Sequence, residues 1–179
     1  MRLAEVYKKQ IIPQLQKELS LSNILAAPKL QKITVNVGVG RQSKDKEFID
    51  AVVKNLRAIT GQQPVLTKAK KSVSAFKVRQ GEIVGVTVTL RGRRMYDFME
   101  KLIHITLPRV RDFRGINIKQ VDQQGNLSLG FKEQLAFPEV RLEQVDQIHG
   151  LEVNIVTTAK NKADGLAFLT LLGLPFSKK

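Results

Sequence analysis

Three segments of the chain alternate apolar and polar residues with period two. "LQKITVNVGVG" places Ile33, Val35 and Val37 on one side and Lys32, Thr34 and Asn36 on the other. "EIVGVTVTL" aligns Val84, Val86, Val88 and Leu90 on one face, with Thr87 and Thr89 opposite. "LEVNIVTT", Leu151 to Thr158, follows the same rule. Successive strand side chains point to opposite faces, so each segment needs a sheet with one packed face and one open face.

Helical patterns lie between these segments. Arg2 to Leu19 spaces Leu3, Val6, Tyr7, Ile11, Leu15 and Leu19 along one side, with Pro13 expected to kink or divide the helix. Ser43 is placed to cap a helix over 45–60 with Phe48, Val52, Leu56 and Ile59 inward, closed by Gly61. Arg93 to Leu107 is a further helix, stopped by Pro108, and Asn161 to Leu172 is the last. Pro64–Leu66 reads as a short strand, and Val73–Val78 pairs with 82–90 around Gln80-Gly81. Gly125-Asn126 marks a hairpin turn before "LSLGF". Strands and helices mix without a regular βαβ rhythm. This predicts an α+β fold, a mainly antiparallel sheet with helices packed on one face and a protruding basic loop. At 179 residues the chain is expected to form a single domain, 1–179.

Charge narrows the function. The net charge is +14, and residues 68–119 alone carry a net +9, against −1 for residues 120–179. A concentrated basic block points to a polyanionic partner, nucleic acid before anionic membrane. With no cysteine there are no disulfides and no thiolate metal sites or nucleophiles. The N-terminus lacks the apolar core of a signal peptide, and no apolar run approaches a membrane span. A cytoplasmic protein is expected.

Enzyme-like features are weak. "VNVGVGRQS" imitates a dinucleotide fingerprint, but Ser43 stands at the third glycine position and no acid follows between Leu56 and Pro64. A strand end with unusual backbone angles, or a backbone that approaches RNA closely, are the other readings of Gly38 and Gly40. His104 and His149 lack ligand-spaced neighbours and read as structural. Glu139 and Glu143 read as a solvated helical face. No catalytic, metal or cofactor site is expected.

Three basic clusters remain: "TKAKKSVSAFKVRQG", "LRGRRMY" and "LPRVRDFRG". In an antiparallel sheet they could converge on one RNA surface. Aromatic residues are only 6%, without Trp, so folded RNA is favoured over stacked single strands. Asn36 and Thr89, polar and on the open strand face, suit 2′-hydroxyl or base-edge contacts.

Taken together, "KITVNVGVG", "GQQPVLTKAKKSVSAFKVRQGEIVGVTVTLRGRRMYDFMEKLI", "LPRVRDFRG" and "GLEVNIVTTA" resemble the large-subunit ribosomal protein family that binds 5S rRNA, number five in its bacterial naming. The resemblance runs essentially the whole chain. It implies a ribosomal, non-enzymatic protein of the central protuberance. Its partners would be 5S rRNA, P-site tRNA, large-subunit rRNA, neighbouring central-protuberance proteins and a small-subunit head protein at an intersubunit bridge. The family's 5S rRNA contacts fall on Asn36, Gln62 and Thr89, with Lys32, Lys68, Lys70, Lys71, Arg91 and Arg93 as phosphate holders. The loop at about 67–83 corresponds to the family's P-site loop. Ser72, Val73, Ser74, Ala75, Phe76, Lys77, Val78 and Arg79 would carry the tRNA contact. Relatives often have a proline before "IG" where this chain has "GEIVG"; Glu82 is thus expected to alter the return of the loop.

Overall fold

In a computed structural model the described residues are 2–43, 45–140 and 147–177. Five strands form one sheet: β1 (Leu30–Gly38), β2 (Val65–Lys68), β3 (Ile83–Leu90), β4 (Leu127–Phe131) and β5 (Leu151–Thr157), in the order β2-β3-β1-β5-β4. The fold is α+β with a mainly antiparallel sheet. The chain divides into two compact units. Unit 1 comprises Met1–Ile33, Leu90–Leu129 and Asn154–Lys179, and unit 2 comprises Thr34–Thr89 and Gly130–Val153.

In unit 2 the period-two reading holds. Val35, Val37, Val86 and Val88 are buried, while Asn36 and Thr87 are half-buried and Thr89 is exposed. Val84 is only half-buried, because it stands where β3 leaves the basic loop. Helix α3 (Lys46–Thr60) buries Phe48, Val52, Leu56 and Ile59, each contributing about 1.5–3 kcal/mol of apolar burial. Its cap is not Ser43 but Asp45, whose carboxylate accepts from the Phe48 amide at 3.1 Å. Asp45 lies immediately before the first helical residue, where a side-chain oxygen can reach the third amide of the helix. Gly61 closes the helix in the left-handed region, φ 65°.

His149 is structural, as expected. Its Nε2 lies 3.3 Å from Asn55 Nδ2 and its Nδ1 lies 3.3 Å from the Gly150 carbonyl. Burial holds its pKa below the usual histidine value, against the opposing pull of the Gly150 carbonyl. A neutral ring, donating from Nδ1 and accepting at Nε2, satisfies both contacts. Gln134, fully buried, clamps the same segment: its Oε1 accepts from the His149 amide at 2.7 Å and its Nε2 donates to the Gln147 carbonyl at 3.0 Å. Glu143, paired with Glu139 in the sequence reading, lies outside the described residues.

Unit 1 repeats one device twice. α1 (Leu3–Val6) passes through a wide π-turn, Tyr7–Ile11, into α2 (Ile12–Glu18). α4 (Gly92–Lys101) passes through a second π-turn, Leu102–Thr106, into the short α5 (Leu107–Arg109). Each π-turn ends two residues before a proline, Pro13 or Pro108. A proline ring collides with the carbonyl four residues back and offers no N–H. The wide turn removes that carbonyl from the ring's path. Pro108 therefore does not stop its helix, which continues to Arg109. Tyr7 is buried between Tyr96 and Phe168 and donates to the Pro28 carbonyl at 3.0 Å. Burial first, and Tyr96 second, push its pKa up to about 12. The Gly125 turn forms as expected: Asp122 Oδ1 accepts from the Gln124 and Asn126 amides, at 2.8 Å each. α6 (Lys162–Leu171) is capped by Asn161, whose side chain accepts from the Asp164 amide.

Candidate nucleic-acid interface

The open face of unit 2 is built by β1, β2, β3 and the end of α3. Gly85 sits mid-strand in β3. A methyl group there would lie 2.7 Å from Thr67 Oγ1, 3.2 Å from the Val37 carbonyl oxygen and 3.6 Å from Asn36 Oδ1. Asn36 and Thr67 therefore flank a gap that only glycine leaves free. Reading the alternation alone misses Thr67 and Gly85. An isolated glycine inside a strand pattern is the signal that marks such a close approach.

Gln62 follows the Gly61 turn, and its Nε2 donates to the Thr89 carbonyl at 3.1 Å. This fixes the glutamine beside the exposed Thr89. Asn36, Gln62 and Thr89 thus fall on the open side of unit 2, the last two in direct contact. Lys68, Lys70 and Lys71 are exposed and belong to the same unit. Lys32, Arg91 and Arg93 belong to unit 1. Arg91 Nη1 is 3.5 Å from the Gln31 carbonyl. Arg93 lies 3.8 Å from Asp97, which also faces Arg2 at 3.6 Å. Exposed pairs of this length contribute little, under about 1 kcal/mol, so both arginines keep their charge available to a partner. The three basic clusters divide likewise: the first is in unit 2, the second and third in unit 1.

The basic loop departs from expectation. Val73–Val78 is not a strand. Val73 pairs only with Val78, across a tight turn at Ser74–Phe76 and a left-handed Lys77, φ 53°. The strand that precedes β3 and pairs with it across the loop is β2, antiparallel, with a register shift between Thr67 and Lys68. β2 holds its place through its ladder with β3, but past Lys68 the chain has neither a ladder to join nor a packed face: Phe76 is 79% exposed, and no residue from Ala69 to Glu82 is buried. Glu82 stands at the return of the loop. Its carboxylate accepts from the Arg79 amide at 3.0 Å, and the Ala69 amide donates to its carbonyl at 2.8 Å.

Neither Gly38 nor Gly40 takes a positive φ, so unusual backbone angles do not explain them. A side chain at either would meet nothing within 4 Å. α3 begins only at Lys46, after a separate turn at Gly40–Gln42, so no helix N-terminus stands over these glycines as a dinucleotide site requires. Among the described residues no group of three or more His, Asp or Glu side chains could hold a metal ion. None of their helices is long and apolar enough to cross a membrane.

Comparison with known proteins identifies the family. Residues 23–79 match the family model described as ribosomal protein L5, and residues 83–176 match the model of that ribosomal family's C-terminus. The large ribosomal subunit protein uL5 of Citrifermentans bemidjiense is 53% identical over 175 residues, 98% of each chain. That of Halothermothrix orenii is 47% identical over 176 residues, again 98% of each. That of Trichodesmium erythraeum is 50% identical over 174 residues, 97% of this chain and 96% of the relative. With both halves matched in order and half the residues shared along almost the full length, the chain belongs to the L5 family of large-subunit ribosomal proteins, structural constituents of the ribosome and not enzymes.

Proposed function

We infer that the protein, acting as a single functional domain in the ribosome, binds 5S rRNA in the central protuberance through the open face of unit 2. One observation carries this reading: a polar, uncovered strand face, with Gln62 fixed to Thr89 and with Asn36 and Thr67 flanking Gly85, beside Lys68, Lys70 and Lys71. Such a face can offer donors and acceptors to 2′-hydroxyls and base edges, while the lysines neutralise phosphates. The open space around Gly38 and Gly40 lets a backbone approach there as well. Lys32, Arg91 and Arg93 act as further phosphate contacts. Ser72 to Arg79, uncovered and strongly basic, is the contact to P-site tRNA, with Phe76 free to lie against a base or ribose. The remaining partners follow the family: large-subunit rRNA, neighbouring central-protuberance proteins, and a small-subunit head protein at an intersubunit bridge.

The test is a filter-binding titration against 5S rRNA at several salt concentrations, with tRNA as competitor. If about six phosphates are neutralised, log K against log salt slopes by roughly −4 to −5. Asn36→Ala and Thr89→Ala should remove the preference for 5S rRNA over tRNA. Equal binding of both RNAs by the unaltered protein would overturn the assignment of specific contacts.

A further inference from the structure

The third basic cluster is not absorbed by the sheet-face reading. It forms a segment with its own construction in unit 1. Leu107 is buried at one end and Ile116 at the other, with 3% and 2% exposure. Between them Arg109, Arg111 and Arg114 are all exposed. Residues 109–120 hold four cations, counting Lys119, against one acid, Asp112. Among the described residues no side chain pairs with any of the three arginines.

The C-terminal residues hold this loop in place. Ile116 pairs in parallel with Phe176: the Ile116 amide donates to the Pro175 carbonyl at 2.8 Å, and the Ser177 amide donates to the Ile116 carbonyl at 2.9 Å. Gly115, φ 98°, lies so close that a methyl group on it would be 2.8 Å from the Ser177 nitrogen. Any other residue would be strained in backbone and would push the strap away. The arginine next to this clamp is Arg114.

We propose that Arg109, Arg111 and Arg114 form a pre-organised RNA-phosphate site in unit 1, positioned by the C-terminal strap Pro175–Ser177. The guanidinium fork suits phosphate oxygens bidentately, and a rigid loop reduces the ordering lost on binding. The core of a protein–protein interface is typically depleted in charge and richer in apolar side chains. Residues 108–120 expose one large apolar side chain, Ile118. An RNA interface needs no such core.

The probe is a 12-base-pair RNA duplex of mixed sequence, titrated with full-length protein across a salt series. The variant R109Q/R111Q/R114Q should lose about tenfold in affinity near 0.1 M salt, and its slope should flatten by about 2–3. R109K/R111K/R114K should restore the slope while recovering only part of the affinity. Truncation after Leu174 should weaken duplex binding severalfold, whereas K178Q/K179Q, which keeps the strap, should not. A triple glutamine variant with unchanged slope and unchanged melting temperature would overturn the site. Equal loss from truncation and from K178Q/K179Q would overturn the role of the strap. Displacement of the duplex by poly-glutamate as readily as by RNA of equal charge would overturn phosphate as the ligand. The triple glutamine variant should keep its preference for 5S rRNA over tRNA, so this result is independent of the fate of Asn36 and Thr89.

Discussion

Two basic loops sit on either side of β3 in the sequence, and they are held by different forces. From Ala69 to Glu82 the chain is fastened by its own backbone: Val73 to Val78, Gly81 to Ala69, and Gln80 to the Ser72 hydroxyl at 2.9 Å. It buries no side chain. From Pro108 to Gly115 the chain hangs between two buried residues and is clamped by a remote segment, Pro175–Ser177. The first carries mainly lysine and the second only arginine. Local hydrogen bonds of exposed backbone contribute little against water, whereas buried anchors tie a loop to the stability of the fold. The lysine loop is thus suited to adapt to a partner, and the arginine loop to present fixed charges.

The largest expected effect is on stability. Ile116→Ala removes a buried anchor and should cost about 2–5 kcal/mol. Phe76→Ala, at the exposed tip of the other loop, should stay within about 0.5 kcal/mol. Urea denaturation measures both. Similar values for the two would mean that the loops do not differ in their coupling to the core.

Hydrogen exchange sharpens the same contrast without mutation. The Ile116 and Ser177 amides should exchange at least about a hundredfold more slowly than the Val73 and Val78 amides, since the first pair opens only with the core and the second by local fraying. Trypsin should likewise cleave after Lys70, Lys71, Lys77 or Arg79 before it cleaves after Arg111 or Arg114. First cuts at the arginines would break the comparison.

The sequence revealed one loop more readily than the other, for a physical reason. Both basic stretches are visible as charge, and the alternation in β1, β3 and β5 correctly separates packed from open strand faces. Asn36 and Thr89 follow from that alternation, and Gln62 from the resemblance. Val73, Ala75, Phe76 and Val78 mimic a strand because apolar spacing is read without knowledge of what covers it. Here nothing does. The strap is invisible for the opposite reason: Ile116 and Phe176 are brought together only by tertiary structure, and neither flanking segment shows periodicity. Pro108 misleads because a π-turn, which no local pattern announces, lets the helix pass it.

Acid should act on the His149 segment. Burial lowers the His149 pKa in the folded protein, so the unfolded chain binds the extra proton first. Stability should be unaffected by this group well above the ordinary histidine value. It should fall as pH drops through that value toward the lower folded one. The melting temperature of the natural protein should therefore decline more steeply between pH 7 and 5 than that of His149→Gln. Parallel declines would assign the acid sensitivity to other groups.

The smallest effect tests the arginine loop's own anchor. Thr106 ends the π-turn before Leu107, is fully buried, and its hydroxyl has no hydrogen-bond partner among the described residues. In α3 and α6, by contrast, Thr60 and Thr170 donate to the carbonyls four residues back, Leu56 and Leu166, at 2.7 Å each. The π-turn removes that partner from Thr106, because its carbonyls face the amides five residues on, as Leu102 does for Leu107. Passage around Pro108 thus leaves one buried hydroxyl unsatisfied. Thr106→Val keeps the shape and deletes that hydroxyl. It should leave stability unchanged or raise it by up to about 1 kcal/mol, with RNA-duplex binding unaltered. A clear loss of stability would mean that the hydroxyl is satisfied in solution, and that the anchor under the arginines is held by a polar contact as well as by packing.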